Sequence, residues 1–307
     1  MREREPIAFN EAITQLFPQR AEQRREDLPQ PAARWAEVDD WPRDAAEFEI
    51  DARWRDVLAS GGDVNGLEAS AGARTIPLRV ATYNIHGGVG GDGRFVPNRI
   101  AAAIEELDAD IIALQEVESR ATGFDMLEFL AAATELRAIA GPTLQSASGD
   151  YGNGLLTRLR VRDSTLIDLS WPQREPRGAI DAELIVDSRT QLRVIATHLG
   201  LRPAERRQQV RQLLRLFERE RALPTVFMGD VNEWFLVGRP LRWLHRHFER
   251  TPAPPSFPAQ LPLLALDRIW VKPRLLLRDV HCHDTRLARA ASDHLPVIAE
   301  IEVPCNP

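Results

Sequence analysis

The sequence predicts an α/β protein arranged as a four-layer sandwich, in which two mixed β-sheets pack face to face and helices cover the outside. Two observations support this fold class. From about residue 76 onward, short apolar runs typical of strands alternate with helical segments. Polar residues follow the ends of many of these runs, as expected where one edge of a sandwich forms a pocket.

The first elements after residue 75 alternate between strand and helix. The segment IPLRVATYNI is typical of a strand, and ADIIALQEV is typical of a buried strand. Between them, PNRIAAAIEEL predicts a helix, because Pro97 lies near its start and Ile100, Ile104 and Leu107 share one face. A second helix is predicted over about residues 123–137.

The second half of the chain continues the alternation. Extended structure is predicted around GNGLLTRLRV, and AIDAELIVDSRTQLRVIATHL predicts a hairpin that turns at residues 187–190. A long helix is predicted over about residues 203–221, followed by the strand PTVFMGDVN and the short helix RPLRWLHRHF. The segments ALDRIWV and PVIAEIEV are predicted to be the closing strands.

The charge distribution separates an N-terminal segment from the remainder. The chain has 307 residues and a net charge of −6, and residues 1–75 carry 10 arginines against 16 acidic residues, leaving 29 of each sign elsewhere. Residues 1–74 are therefore predicted to be an acidic extension and linker, and residues 75–303 the α/β domain. The balanced charge of that domain argues against a dedicated binder of duplex DNA, because phosphate neutralisation dominates such binding.

The location of the protein is predicted from what the sequence lacks. No apolar run approaches the roughly 18 residues needed to span a bilayer, and the charged start MREREPIAFNEA is unlike a signal peptide. The two cysteines, Cys282 and Cys305, have neither metal-ligand spacing nor the density of a disulfide scaffold. We therefore expect a cytoplasmic protein with reduced thiols.

Polar side chains suited to catalysis fall at the strand ends. Taken one at a time, each has a simpler explanation as a turn former, surface acid, core histidine or helix cap. Together they form a set of oxygen ligands without thiolates, which suits Mg²⁺ or Mn²⁺, and their histidines transfer protons near neutral pH. The set consists of Asn84, Glu116, His198, Asp230, Asn232, Asp267, Asp293 and His294. Its composition favours a metal-assisted hydrolase.

Seven short motifs occur in a recognisable order: ATYNIHGG, IIALQEV, YGNGLLTR, IATHLG, VFMGDVNEW, LDRIWV and SDHLPV. In this respect residues 77–303 resemble the endonuclease/exonuclease/phosphatase superfamily, which includes deoxyribonuclease I-like and sphingomyelinase-like metal-dependent phosphoesterases. The segment YNIHGG resembles a bacterial branch of that superfamily. One of these motifs alone is a weak signal, whereas all seven in order are a strong one.

The resemblance implies a role for each matching residue. Glu116 is implied as the principal Mg²⁺ ligand, with Asn84 and Asp293 beside the metal. Asp230 and Asn232 match a pair that orients the attacking water and the phosphate. The catalytic residues implied are His294, held by Asp267, and His198 as a second acid or base. Asn153, Arg177 and His86 are implied as contacts of the substrate phosphate, although His86 as an outer metal ligand or as part of the strand turn stays open.

The predicted activity is Mg²⁺- or Mn²⁺-dependent hydrolysis of phosphodiester bonds, by a metal-activated water and an Asp–His pair. A small or lipid-derived phosphodiester is the predicted substrate. The apolar segment FPAQLPLLAL either reaches a membrane surface or simply leads into the next strand. The natural leaving group, the number of metal ions and the oligomeric state stay open.

The sequence is also compatible with two alternatives. The first is a DNA endonuclease or exonuclease, in which Arg239, Arg242, Arg246 and Arg250 form a phosphate-binding stripe. The second is an inactive scaffold of the same fold that binds a partner. The scaffold is the weaker alternative, because no member of the predicted catalytic set is missing.

Overall fold

The computed structural model describes residues 74–120, 123–146, 149–218 and 223–305. Nearly all of the predicted N-terminal extension lies outside this part of the chain, so its separation from the catalytic domain stays a prediction. The described residues form two mixed β-sheets and five α-helices, which confirms the predicted α/β sandwich. Among them, no helix is both long enough and apolar enough to cross a membrane.

The first sheet has seven strands. They are β1 (Thr75–Asn84), β2 (Ile111–Arg120), β3 (Phe124–Asp125), β4 (Arg137–Ser146), β5 (Gly149–Thr157), β11 (Leu277–Cys282) and β12 (Val297–Pro304). The strand order is β11-β12-β1-β2-β5-β4, with β3 paired to β2. Only β1 and β2 run parallel among the described strands of this sheet.

The second sheet has five strands in the order β10-β9-β8-β7-β6. Their bounds are β6 (Arg160–Asp168), β7 (Gly178–Ile185), β8 (Gln191–His198), β9 (Thr225–Asp230) and β10 (Asp267–Lys272). Strands β7 and β8 form the predicted hairpin, closed by a bond from Val186 N–H to Thr190 O at 2.9 Å. Strands β8 and β9 run parallel, and the helix Pro203–Glu218 connects them.

The helices lie on the two outer faces. They are α1 (Pro97–Leu107), α2 (Met126–Thr134), α3 (Pro203–Glu218), α4 (Arg239–Phe248) and α5 (Arg286–Ala291). The apolar faces of α1, α2 and α5 pack on the first sheet, where Tyr83 and Leu114 are buried. Helices α3 and α4 pack on the second sheet against Phe227 and Trp270.

The largest apolar cluster fills the space between the sheets. Val80 and Ile111 from the first sheet meet Val194, Met228 and Ile269 from the second. Because successive strand residues face opposite sides, the alternate positions of the same strands pack against the helices. Two sheet layers between two helix layers give the predicted four-layer arrangement.

The observed elements differ from the predicted ones in three places. The helix expected over about 123–137 is confined to Met126–Thr134. It begins where Asp125 accepts a capping hydrogen bond from Glu128 N–H at 2.8 Å, and it ends at Glu135, whose backbone torsions are left-handed. Strands β4 and β11 were not predicted, because each lies at a sheet edge and alternates weakly in burial. Helix α5 is too short to show a periodic pattern.

Candidate active site

The predicted catalytic residues meet where strand ends from both sheets lie side by side. Register places His198 beside Asp230, and Asp230 beside Asp267, across the ends of β8, β9 and β10. Asn84, at the end of β1, reaches across from the first sheet. Its Nδ2 donates to Asp230 Oδ2 at 3.1 Å and to Glu116 Oε1 at 3.2 Å. We call this convergence of strand ends the catalytic edge.

Two residues at the catalytic edge have left-handed backbone torsions. Glu116 has a φ of 57°, at the point where the register of β2 against β5 shifts between Leu114 and Val117. Asn232 has a φ of 50°, and its N–H donates to Asp230 Oδ1 at 2.9 Å. Residues other than glycine rarely adopt this conformation, and such strain concentrates at functional sites. The irregularity in β2 thus places the Glu116 carboxylate beside Asn84.

Gly229 permits the close approach of strands beneath Asp230. Its φ is 151°, and a Cβ at this position would lie 1.9 Å from the Thr197 carbonyl oxygen. Any side chain would therefore push β9 away from β8 and displace Asp230 from His198. This is the physical reason for a glycine directly before the aspartate in GDVN.

The imidazole of His294 is fixed by a buried carboxylate. His294 Nδ1 lies 2.8 Å from Asp267 Oδ2, so Nδ1–H donates and Nε2 faces the catalytic edge, 3.8 Å from Asp230 Oδ2. Ser256 Oγ donates to the same Asp267 oxygen at 2.6 Å, and the Phe257 ring lies 4.7 Å from the His294 ring between centroids. Both the carboxylate and the imidazole therefore have restricted orientations.

Burial and mutual charge determine the protonation of this group. Burial, followed by the charge of Asp267, raises the pKa of Asp230, against the opposing effects of His294 and the Asn84 hydrogen bond. For His294, burial disfavours the imidazolium, but the charge and hydrogen bond of Asp267 and the charge of Asp230 raise its pKa above the ordinary range. Both shifts favour the protonated form of this buried group, in which neighbouring carboxylates would otherwise repel one another.

His198 lies on the other side of Asp230. Its Nε2 is 3.5 Å from Asp230 Oδ2 and accepts a hydrogen bond from Asn232 Nδ2 at 3.0 Å. The second Asn232 amide hydrogen goes to Leu199 O at 2.9 Å. In this arrangement the His198 Nε2 carries the lone pair, and Asn232 orients the ring.

The remaining predicted residues surround this centre. His86 Nδ1 lies 2.9 Å from Val89 O and 3.6 Å from Asp293 Oδ1. Asn153 Nδ2 donates to Gly178 O at 3.0 Å, which places it beside the start of β7. The structure therefore brings His86 against Asp293 and the turn after β1, while the roles of His86 and Asn153 toward a phosphate stay predictions.

Arg177 is buried beside Glu116. Burial acts against its charge, but Glu175, Tyr151 and Glu116 together raise the pKa of the guanidinium, which keeps it a cation. Its Nη1 donates to Glu175 at 2.8 Å. A cavity of about 330 Å³ opens next to it between β4 and the β6–β7 pair. A buried cation at the wall of a cavity is suited to an anionic ligand.

The donor set fits a hard divalent cation. Asp230, Asp267 and His294 each offer a ligand atom within 4.8 Å of the others. Asp267 Oδ1 is buried and has no hydrogen-bond partner within the described part of the chain. Glu116 and Asn84 extend the same group. Carboxylate and amide oxygens are preferred by Mg²⁺ and Mn²⁺, and a cation would offset the repulsion between the buried acids.

Two serines that the sequence did not single out contact the predicted catalytic residues. Ser256 lies in a proline-rich segment with nothing to mark it, and only its contact with Asp267 reveals its role. Ser292 Oγ donates to Asn84 O at 2.7 Å and accepts from His294 N–H at 3.2 Å, linking the histidine loop to β1. Its position directly before Asp293 in SDHLPV was the available signal.

The sequence profile of the Endonuclease/Exonuclease/phosphatase family matches residues 81–294, a span that contains every residue of the catalytic edge. The chain belongs to this family. Members of the family are phosphoesterases and nucleases, which supports a hydrolase at this coarse level.

One protein sequence and two solved structures illustrate what this chain is similar to. Uncharacterized protein YbhP of Escherichia coli (strain K12) is 30% identical over 245 residues, covering 74% of this chain and 96% of YbhP. The crystal structure of an endonuclease/exonuclease/phosphatase from Bacteroides vulgatus has a TM-score of 0.62 and 20% identity, covering 74% and 99% of the two chains. The human Nocturnin catalytic domain, solved with a bound sulfate anion, has a TM-score of 0.56 and 20% identity, covering 73% and 92%.

Proposed function

We propose that the protein is a Mg²⁺- or Mn²⁺-dependent phosphodiesterase. The observation that carries the proposal is the row of His294, Asp267 and Asp230 at the catalytic edge, with His294 Nε2 directed toward Asp230. An imidazole held by a carboxylate supports proton transfer in many hydrolases, because the carboxylate selects the tautomer and stabilises the imidazolium. The sulfate bound to the related Nocturnin domain is a phosphate-like anion, which supports the same ligand class here.

Of the possible ligands at the catalytic edge, Glu116 would hold the cation, with Asn84 and Asp293 close to it, while Asp230, Asp267 and His294 would serve proton transfer. When bound, the cation would withdraw charge from the phosphate oxygens and the leaving oxygen. Arg177, with Asn153 and His86, would bind the phosphate from the other side. These assignments agree with a buried, oxygen-rich group in which acidic side chains face one another.

The chain's own side chains account for the proton transfers. Asp230, whose pKa is raised, is suited to accept a proton from the attacking water, and Asn232 orients both Asp230 and His198. His294, whose pKa is raised, would carry a proton near the developing negative charge, and Asp267 holds its ring in place. His198 would contact the leaving oxygen.

Small or lipid-derived phosphodiesters remain the proposed substrates, and the cytoplasmic location stays a prediction. The alternative substrate is DNA, for which the exposed Arg242 and Arg246 on α4 provide two cations on one helix face. An inactive scaffold would need a defect at the catalytic edge. The contacts among Asn84, Glu116 and Asp230 argue against such a defect.

The test compares hydrolysis of bis-p-nitrophenyl phosphate, a glycerophosphodiester, sphingomyelin and supercoiled plasmid, each with Mg²⁺ or with EDTA. We expect diester hydrolysis only with the metal. Plasmid nicking that is faster and steeply salt-dependent would favour the nuclease instead.

Glu116→Gln removes one negative charge with little change in size and should abolish activity, whereas Glu128→Gln, on the exposed face of α2, should not. Calorimetry should show weaker Mg²⁺ binding to the Glu116 variant. Unchanged metal affinity would remove Glu116 from the metal site.

A further inference from the structure

Exposed apolar side chains concentrate around the catalytic edge. Eight large apolar side chains are exposed within the described residues, and six of them lie on three loops. These six are Leu201 after β8, Phe235, Leu236 and Val237 after β9, and Leu261 and Leu263 before β10. We call them the apolar rim. The other two are Leu166 on the edge strand β6 and Leu275 beyond the far end of β10.

The three loops leave the second sheet side by side. Leu199 N–H donates to Asp230 O, and Val231 N–H donates to Leu266 O, each at 2.9 Å. These bonds continue the pairing of β8, β9 and β10 beyond their ends. The apolar rim therefore lies on the same side of the molecule as the catalytic residues.

A buried ion pair holds the backbone beneath the apolar rim. Arg206 and Glu233 are almost fully buried, with guanidinium to carboxylate distances of 3.4 Å. Arg206 Nη1 also donates to Leu201 O at 2.7 Å, and Glu233 Oε1 accepts from Phe235 N–H at 3.2 Å. Because this pair supports two of the loops from below, the exposure of Leu201 and Phe235 is part of the folded structure.

The exposed charges beside the apolar rim have one sign. Segments 199–204, 231–242 and 257–266 contain four charged residues: the buried Glu233, which is paired with Arg206, and three arginines, Arg202, Arg239 and Arg242. All three arginines are exposed. Apolar side chains flanked by cations, without exposed acids, are typical of surfaces that enter the interface of an anionic bilayer.

We propose that the apolar rim docks the protein on an anionic lipid bilayer, with the catalytic edge facing the headgroups. Apolar tips on three separate loops suit insertion between headgroups, whereas a peptide ligand requires one continuous groove or strand edge. Delivery of a headgroup phosphodiester to the site rests on the proposed function. Docking itself does not require catalysis, so the two can be tested separately.

The test is co-sedimentation of the full-length protein with vesicles of phosphatidylcholine alone or mixed with phosphatidylglycerol. We expect binding to the anionic vesicles that weakens with salt. The triple variant with Phe235→Ser, Leu236→Ser and Val237→Ser should have a vesicle–water partition coefficient at least tenfold lower than that of wild type. Arg202→Gln, Arg239→Gln and Arg242→Gln should each lower it by about fivefold.

Leu236→Ser alone should also weaken binding, and Leu275→Ser is its matched control, because it makes the same change at an exposed leucine far from the apolar rim. Hydrolysis of soluble bis-p-nitrophenyl phosphate by the triple variant should stay within twofold of wild type, which shows that it folds. Absence of wild-type binding to anionic vesicles would overturn docking without affecting the proposed function. An equal loss of vesicle binding in Leu275→Ser and in Leu236→Ser would also overturn docking. So would a wild-type dimer, seen by light scattering, that does not bind vesicles and that the triple substitution dissociates.

Discussion

At the scale of single residues, buried polar groups at the catalytic edge restrict one another. Asp267 accepts from both His294 and Ser256 on one oxygen, while its other oxygen is without a partner in the described chain. Asn84 contacts two carboxylates at once. Removing one member of such a network leaves another buried group unsatisfied, so single substitutions here should have large effects.

Asp267 and His294 should behave as one unit. We expect Asp267→Ala and His294→Ala each to lower kcat/KM by roughly 10²- to 10⁴-fold, and the double variant to lose little more than His294→Ala alone. Steady-state kinetics on a soluble diester provide the measurement. Asp279 and His281 form a matched control, because they are also 2.8 Å apart but lie exposed on β11. If the losses in the Asp267 and His294 variants multiply, the two residues act independently.

Ser256 should be a positioning residue for the same pair. Ser256→Ala removes the 2.6 Å bond to Asp267, and we expect kcat to fall about tenfold with KM unchanged, since Ser256 touches Asp267 and not the substrate. Ser146→Ala, at an exposed strand end, serves as the control. An increase in KM without a change in kcat would instead place Ser256 in substrate binding.

At the scale of elements, helix α4 illustrates how outer-layer packing affects titration. Its apolar side packs on the second sheet through Leu241, Leu244 and Phe248. His247 lies on this helix beside the Phe217 ring, and Lys272 Nζ approaches its Nε2 at 3.4 Å. Burial, then the charges of Lys272 and Arg193, lowers the pKa of His247 to about 3.

His247 should therefore make the protein less stable in acid. The unfolded chain binds a proton at this residue near pH 6.5 and the folded chain does not until about pH 3, so stability is lost as the pH falls through this window. Between pH 7 and pH 5 the loss is about 2 kcal/mol. Urea unfolding measures the effect: between pH 7 and pH 5, the free energy of unfolding of His247→Gln should fall by about 2 kcal/mol less than that of wild type. An identical pH dependence in the variant would mean that His247 ionises equally in both states.

At the scale of the whole molecule, the four layers serve to bring distant parts of the chain to one edge. Asn84 and His294 are more than 200 residues apart, yet Ser292 Oγ bonds to Asn84 O at 2.7 Å. The first and last strands of the sandwich, β1 and β12, pair along eight positions of register. The site thus depends on both ends of the described domain being in place.

Removal of residues 1–74 should leave hydrolysis of a small diester within about twofold of wild type. All the proposed catalytic and metal-binding residues lie between Asn84 and His294, and the strand pairing of the sandwich begins at Thr75. Circular dichroism and kinetics on bis-p-nitrophenyl phosphate provide the check. Loss of the β-sheet signal on truncation would show that the N-terminal segment belongs to the folded core.

The sequence by itself determined the fold class, most elements and the family. Local periodicity reports which face of a strand or helix is buried, so β1, β2, α1 and the hairpin of β7 and β8 were predictable. Seven ordered motifs also identified the residues of the catalytic edge before their positions were known. Edge strands such as β4, with partial burial, produce no comparable pattern.

Only the tertiary structure decided how these residues act on one another. The bond from Ser256 to Asp267, the left-handed turn at Glu116 and the shift of the Asp230 pKa all depend on groups far apart in the chain. The exposure of Leu236 beside the site was equally invisible, because an apolar residue in a sequence is compatible with burial or exposure. Periodicity encodes local burial, whereas contacts across two packed sheets follow from register and twist that no single segment contains.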